Sequence, residues 1–206
     1  MASILFAHPN FPAQFRALAT SLGATGSHDV RFLTKTPRPE WDIPGVRKLI
    51  YQPADAPAGT AVHPYLASTQ EAVQSGQAAF ECCLQLRREG YQPDLIVGHS
   101  GWGQTLFLRD LFPQARMIGF FEWYFEPRGY AFRSTVHDPD VGADLSFHDA
   151  LRARVANTPI LQDLVAVDAG VCPTQWQRNQ FPAEFIPKLR VIHEGIDTEF
   201  FQPSSD

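Results

Sequence analysis

The chain has 206 residues, a formal net charge of −5, 44% hydrophobic residues and 19% charged ones, which suits one domain whose core buries roughly 70% of the unfolded chain's surface. No run of Lys or Arg exceeds two residues. That argues against a nucleic-acid groove, where clustered cations neutralise phosphates, and leaves at most weak peripheral association with an anionic membrane. No segment approaches the roughly 20 apolar residues of a membrane span. Cys82, Cys83 and Cys172 are odd in number and form no CxxC, so they fit neither a disulfide framework nor a zinc knuckle and suit a reducing cytoplasm.

In chain order, Met1–Ala7 carries no charged n-region and its apolar run stops at His8-Pro9, so Ser3–Ala7 reads as a first strand and not as a leader. Phe11, Phe15, Leu18 and Leu22 recur at helical spacing, with Gly23 near the end. Val30–Leu33 and Val46–Tyr51 read as the next strands, with proline-rich loops at Pro37–Pro44 and Pro53–Pro57. Tyr65–Arg88 predicts a long helix with one internal glycine, Gly76, closed by Gly90. Asp94–Gly98 is an apolar run typical of a strand covered on both faces. Gln104–Phe112 predicts a helix stopped by Pro113, and Arg116–Phe121 a further buried strand. Glu126–Asp140 reads as a polar, mobile loop. Leu151–Val165 predicts a helix in two pieces around Pro159, Gly170–Cys172 a strand, Trp176–Phe181 a short helix and Leu189–Ile192 the last strand. Strands alternating with helices predict a Rossmann-like α/β fold: a mostly parallel sheet with helices on both faces. Ligands of such sheets sit at the carboxyl ends of strands, so the loops after Ala7, Gly98, Phe121, Cys172 and Ile192 are the candidates.

Three constellations carry chemistry. Gly98-His99-Ser100-Gly101-Trp102-Gly103-Gln104 follows a buried strand, and its glycines let the backbone approach a ligand closely. His99 at the rim could exchange a proton; the plainer reading is a tight turn with a hydrogen-bonded histidine. The segment also nearly spells a nucleophile elbow, with Ser100, Asp168 and His193 in hydrolase order, but Trp102 stands where G-x-S-x-G needs glycine. Neither a P-loop nor GxGxxG is present. Phe120-Phe121-Glu122-Trp123-Tyr124-Phe125 combines aromatic faces for sugar CH groups with a carboxylate for hydroxyls, and desolvation there would raise the Glu122 pKa. His8-Pro9-Asn10-Phe11-Pro12-Ala13-Gln14 could place Asn10 and Gln14 over a ligand, although Asn10 as a helix N-cap explains itself more simply. Sequential parallel strands lie about 4.8 Å apart, so His99, Trp102, Glu122 and Trp123 are expected to line one cleft. Two patterns are set aside. The cluster His137, Asp138, Asp140, Asp144, His148 and Asp149 does not fit the spacing of an EF-hand, and Pro139 spoils a regular ligand scaffold; Glu81 and Glu89 are expected to pair with Arg87 and Arg88.

The closing segment carries a resemblance. Asp168-Ala-Gly-Val-Cys-Pro-Thr-Gln-Trp-Gln-Arg and then Val191, Ile192, Gly195, Asp197, Phe201 and Pro203, in the pattern VI-x-x-G-x-D-x-x-x-F-x-P, resemble glycosyltransferase family 4. Asp94–Gln104 and Met117–Tyr124 resemble that family's central strands. The resemblance implies one half of a GT-B fold: residues 1–192 as a Rossmann-like acceptor-side domain and 193–206 as the start of a linker to a carboxy-terminal donor-binding domain. It implies retaining transfer of a sugar from a nucleotide-sugar donor to a saccharide or related acceptor, with no metal and no cofactor bound by this half, and inactivity of the half alone. His99 takes the place of a cleft histidine that contacts the transferred sugar. The site then comprises His99 and Glu122 as catalytic groups, with Asn10, Phe11, Gln14, Gly101, Trp102, Trp123 and Tyr124 on the acceptor. The loop His8–Pro12 lacks the glycines that family members often carry after strand one. The alternatives are an α/β-hydrolase-like esterase using Ser100 and a stand-alone carbohydrate-binding module.

Overall fold

A computed structural model gives the architecture; it describes residues 1–55, 61–125, 147–196, 198–199 and 201–203. Seven strands form one sheet: β1 (Ser3–Ala7), β2 (Asp29–Thr34), β3 (Val46–Ile50), β4 (Leu95–His99), β5 (Arg116–Phe120), β6 (Ala169–Cys172) and β7 (Leu189–Val191). Their order is β3-β2-β1-β4-β5-β6-β7, and every pairing is parallel. The helices are α1 (Arg16–Ala24), α2 (Ala67–Arg88), α3 (Leu108–Leu111), α4 (Phe147–Ala156), α5 (Thr158–Ala166) and α6 (Gln175–Arg178). Rossmann-like α/β architecture is therefore what the chain adopts.

Period-two alternation divides the core between the two faces of the sheet. Ile4 and Phe6 of β1 join Phe15, Ala19 and Phe32 under α1. Leu5 and Ala7 join Ala79, Cys83, Leu108 and Leu164 under α2, α3 and α5. Sandwiched strands need apolar residues on both faces, which is why the central strands β1 and β4 appear in the sequence as apolar runs.

The structure departs from the sequence reading at several points. The stretch expected to be helical over Gln104–Phe112 is helical only from Leu108 to Leu111. Its first residues are turns, because Gly103 has φ +96 and the Gln104 side chain folds back to bond the carbonyl of His99. Asn10 caps no helix. Its Oδ1 accepts from the Thr36 hydroxyl, and the short 3-10 turn Ala13–Phe15 starts at Pro12 without a side-chain cap. Leu18, on the presumed apolar stripe of α1, is exposed, and Ala19 and Gly23 face inward instead. Glu81 and Glu89 make no ion pair with Arg87 or Arg88 among the described residues; Glu89 accepts from Gln85. The break between α4 and α5 falls at Asn157, with Pro159 in the first turn of α5, where its missing N–H costs nothing. The loop expected to be mobile over Glu126–Asp140, and most of the set-aside acidic cluster, lie outside the described residues.

Gly76 shows how tightly α2 meets the turn after β4. A Cβ on Gly76 would stand 2.7 Å from the Gly103 carbonyl oxygen and 3.1 Å from the Phe107 ring. Helix propensity favours Gly→Ala in a helix interior by about 1 kcal/mol, but here the added methyl must push backbone. Gly76→Ala is expected to destabilise the fold by about 1–3 kcal/mol. Urea unfolding measures this, and a stabilised variant would show that α2 and the turn do not touch as described.

Candidate functional site

The strand order reverses at β1 and β4, where the chain leaves β1 toward β2 and β4 toward β5. The crevice outside the carboxyl ends of strands at such a reversal is the usual ligand site of open α/β sheets. The loops after β1, β4 and β5 meet there. Gln104, fully buried, joins the first two: its Nε2 donates to the His99 carbonyl at 2.6 Å and to the Ala7 carbonyl at 3.4 Å. The Ser100 amide donates to the Phe120 carbonyl at 2.9 Å and fixes the third.

At the meeting point, His99 Nε2 lies 3.2 Å from Glu122 Oε2, and His99 Nδ1 lies 2.9 Å from the Ser100 carbonyl. A carbonyl oxygen only accepts, so Nδ1 carries its proton, and the contact of Nε2 with Glu122 is made by one further proton held between them. His99 is at the floor of the crevice and not at its rim: its side chain is 6% exposed and that of Glu122 40%. The expected rise in the Glu122 pKa is not observed. The hydrogen bond from His99 lowers it, burial opposes this, and the charges of His99 and His8 add to the lowering.

His8, unassigned by sequence reasoning, stacks edge-on against His99 with ring centroids 4.9 Å apart. Its Nδ1 lies 2.9 Å from both the amide nitrogen and the carbonyl oxygen of Asn10. Burial lowers its pKa to about 4, helped by the charge of His99 and opposed by contacts with Asn10, Gln14 and Glu122. His8 is thus neutral at physiological pH. Its signal in the sequence was its place directly after an apolar strand, ahead of the prolines.

The crevice has two lobes. One, of about 590 Å³, lies over the β1 loop and is lined by His8, Asn10 and Gln14, with Glu194 at its edge. The other, of about 570 Å³, lies between the β4 loop, α2 and α5, with Ser68, Glu71 and Gln74 on one wall and Trp123 and Ile160 on the other. His99, Glu122, Trp102 and Lys35 border both. His99, Trp102, Glu122 and Trp123 therefore share one lobe. Gln14 donates to Glu122 Oε2 at 3.5 Å, and Gly101 lines the second lobe.

Two expected acceptor residues are elsewhere. Phe11 is core, 3% exposed and edge-on to Phe32 at 4.9 Å, because its apolar ring completes the cluster under α1. Tyr124 packs on the opposite-face core, with its ring 5.4 Å from Phe181, and borders neither lobe. The hydrolase triad is also absent. Ser100 Oγ donates to Asp163, not to a histidine, at 2.9 Å, while Asp168 precedes β6 at the opposite edge of the sheet and pairs with Arg109 at 2.8 Å. Among the described residues no cluster of three His, Cys, Asp or Glu side chains is placed to hold a metal.

Comparison with known proteins now gives this geometry a context. The profile of the Glycosyl transferase family 4 group matches residues 26–201, and the chain belongs to that family. No curated protein matches it significantly. CalG4, the calicheamicin glycosyltransferase, superposes with TM-score 0.52 at 15% identity, over 98% of this chain and 55% of its own. UGT2 of Phytolacca americana, solved with UDP-2-fluoro-glucose and pterostilbene, gives 0.58 at 14% identity over 96% and 55%. The catalytic domain of starch synthase IV from Arabidopsis thaliana, bound to ADP and acarbose, gives 0.56 at 14% identity over 100% and 54%. At these identities the likeness is one of fold, half of a GT-B structure, and the chain spans about half the length of each. No helix among the described residues is long and apolar enough to cross a membrane.

Asp163 on α5 is the other ionisable group of the site, and it is 1% exposed. Burial raises its carboxyl from 3.8 to about 6, against the nearby Thr105 hydroxyl, the bonds from Gly101 and Ser100 and the charge of His99. Between about pH 4 and 6 the folded chain holds a proton that the unfolded chain has released, so this group makes stability fall as pH rises through that window. Asp163→Asn mimics the protonated form. Its stability relative to the parent should therefore improve by about 2–3 kcal/mol between pH 4 and 7. Denaturant unfolding at both pH values checks this; a difference that stays constant would contradict the assignment.

Proposed function

We propose that this chain is the acceptor-side domain of a retaining glycosyltransferase that moves a sugar from a nucleotide-sugar donor to a saccharide acceptor. It works together with a second domain that binds the donor. The observation that carries the reading is the His99–Glu122 pair, 3.2 Å apart, on the floor common to two lobes. Family membership supports glycosyl transfer, and the family resemblance supports retention and a donor held by the other half. The lobe over the β1 loop, bordered by neutral His8, Asn10 and Gln14, is the side that faces the donor sugar. The lobe walled by α2 and Trp123 takes the acceptor, whose CH faces stack on Trp102 and Trp123 while its hydroxyls bond to Ser68, Gln74 and Glu122.

Transfer breaks the bond from the anomeric carbon to the diphosphate oxygen and forms one to the acceptor hydroxyl oxygen, whose proton leaves on the diphosphate. His99 and Glu122 hold the transferred sugar by charge-assisted hydrogen bonds where the lobes meet. Residues 193–206 begin the connection to the donor domain, in keeping with the exposure of 193–196. The three unpaired cysteines support a cytoplasmic setting.

In the complete enzyme, His99→Ala and Glu122→Gln should each slow transfer by about 10–100-fold, the worth of hydrogen bonds to charged groups. His99 is buried, so turnover is compared at temperatures where circular dichroism shows each variant folded. Unaltered transfer by both would refute the assignment of this pair. The 206-residue chain alone, given a panel of nucleotide sugars, should release no nucleoside diphosphate above a heat-denatured control. Release would overturn the division of labour, and saccharide binding by a complete protein that never transfers would identify a binding module instead. Amide exchange should be fast from Thr198 onward if the tail is a linker; strong protection would assign it to this domain.

A further inference from the structure

The carboxylate of Asp163 has no part in the transfer just described, yet it is the most deeply enclosed charge of the site. It reaches from α5 into the turn after β4. Its Oδ2 accepts from the Ser100 hydroxyl at 2.9 Å and from the Gly101 amide at 3.1 Å. Gly101 has φ +90, a conformation open to glycine and rarely to other residues. Ser100 also presents its carbonyl to His99 Nδ1 at 2.9 Å, and its amide is bonded to Phe120, two residues before Glu122. The residue that Asp163 grips is thus the residue that sets the ring plane of His99. The opposite nitrogen of that ring meets Glu122. Ile160, one turn earlier on α5, lies against Gly101 and lines the acceptor lobe, so the same helix forms the wall and carries the clamp.

We infer that Asp163 is the positioning residue of this site: through Ser100 and Gly101 it fixes the turn that aims His99 Nε2 at Glu122. The inference rests on the reading of His99 and Glu122 as the working pair. It assigns the buried carboxylate a directional role, holding one side-chain orientation, in addition to any share in stability. Two acceptor bonds on one oxygen are what such a clamp needs, and a neutral amide in the same place could supply them. An apolar replacement could not.

The test reads the coupling between His99 and Glu122 directly. The ring-proton titration of His99 is followed by NMR in the full chain with and without E122Q, and the difference between the two curves is the coupling. The same difference is then measured in the D163A and D163N backgrounds, with thermal unfolding recorded for each. In D163A the coupling should fall to less than roughly half its parent value, as expected when a double-mutant cycle removes a shared partner. D163N, whose amide oxygen can accept both bonds, should restore it. Should D163A fail to fold, S100A removes one of the two bonds and should reduce the coupling in the same direction. A D163A protein that melts earlier but keeps the full coupling would show a merely structural carboxylate and overturn the inference, as would D163N behaving like D163A. For S100A, unchanged coupling would count equally against it. Transfer by the complete enzyme separates the two readings. Lost coupling with unaltered kcat and KM would sink the working role of the His99–Glu122 pair and leave the positioning role standing. Intact coupling overturns the positioning role whatever the turnover.

Discussion

The turn after β4 is the most constrained stretch of the chain, and the crevice takes its shape from it. Between His99 and Gln104 the backbone passes between α2 and α5 with no room to spare. A Cβ on Gly103 would land on the Ala72 carbonyl of α2, and one on Gly98 would meet the Thr105 methyl. Its polar groups tie it to four elements: Ser100 N to β5, Ser100 Oγ and Gly101 N to α5, and Gln104 Nε2 to the ends of both β4 and β1. Interiors packed this closely adopt discrete arrangements and do not deform smoothly. A ligand in either lobe therefore meets a preset surface, which is the condition under which oriented hydrogen bonds contribute to a reaction.

Two carboxylates in one small volume respond oppositely to their surroundings. Glu122, part-exposed and bonded to His99, is held below the usual carboxylate range, whereas Asp163, sealed from water, is raised to about 6. The same rule produces both outcomes: a hydrogen bond to the charged form favours ionisation and desolvation opposes it. His8, buried edge-on against the His99 ring, is kept neutral chiefly by its burial. A neutral His8 and the sealed Asp163 flank the pair formed by His99 and Glu122. That separation of roles is what a site needs if a single hydrogen-bonding pair is to face substrate while its neighbours only shape the field.

The sheet was legible because a doubly covered strand must be apolar on both faces, and DLIVG and RMIGFF are such runs. The helix break near Pro159 and the long α2 followed from punctuation alone. Convergence of the β4 and β5 loops could also be read, since sequential parallel strands tend to be neighbours. What could not be read was the direction of individual side chains. Phe11 and Tyr124 sit beside site residues in sequence but point into the core, because the backbone turns between them and their neighbours. Gln104 was counted toward a helix, yet its amide finds better partners in two strand ends, and the helix starts later. Asp163 left a trace: it stands three residues after Ile160 and one before Leu164, on the buried stripe of α5. A carboxylate at such a position must have a partner or a shifted pKa. Its partner, Ser100, is 63 residues away, and nothing local announces the pair.

The lobes also differ in charge, and that difference constrains what each can accept. Lys35 borders both, but the lobe walled by α2 and Trp123 adds the carboxylates of Asp55 and Glu71 to that of Glu122, against this one lysine. A polyol meets such a lining well, since hydroxyls donate to carboxylates and CH faces stack on Trp102 and Trp123. An acceptor carrying phosphate or carboxylate would approach like charges at short range, in a crevice where water screens them poorly. In the loop after β1, which has His8, Pro9 and Asn10 and no glycines, the Asn10 amide faces His8 Nδ1 at 2.9 Å. The lobe walled by α2 and Trp123 therefore favours a neutral ligand over an anionic one.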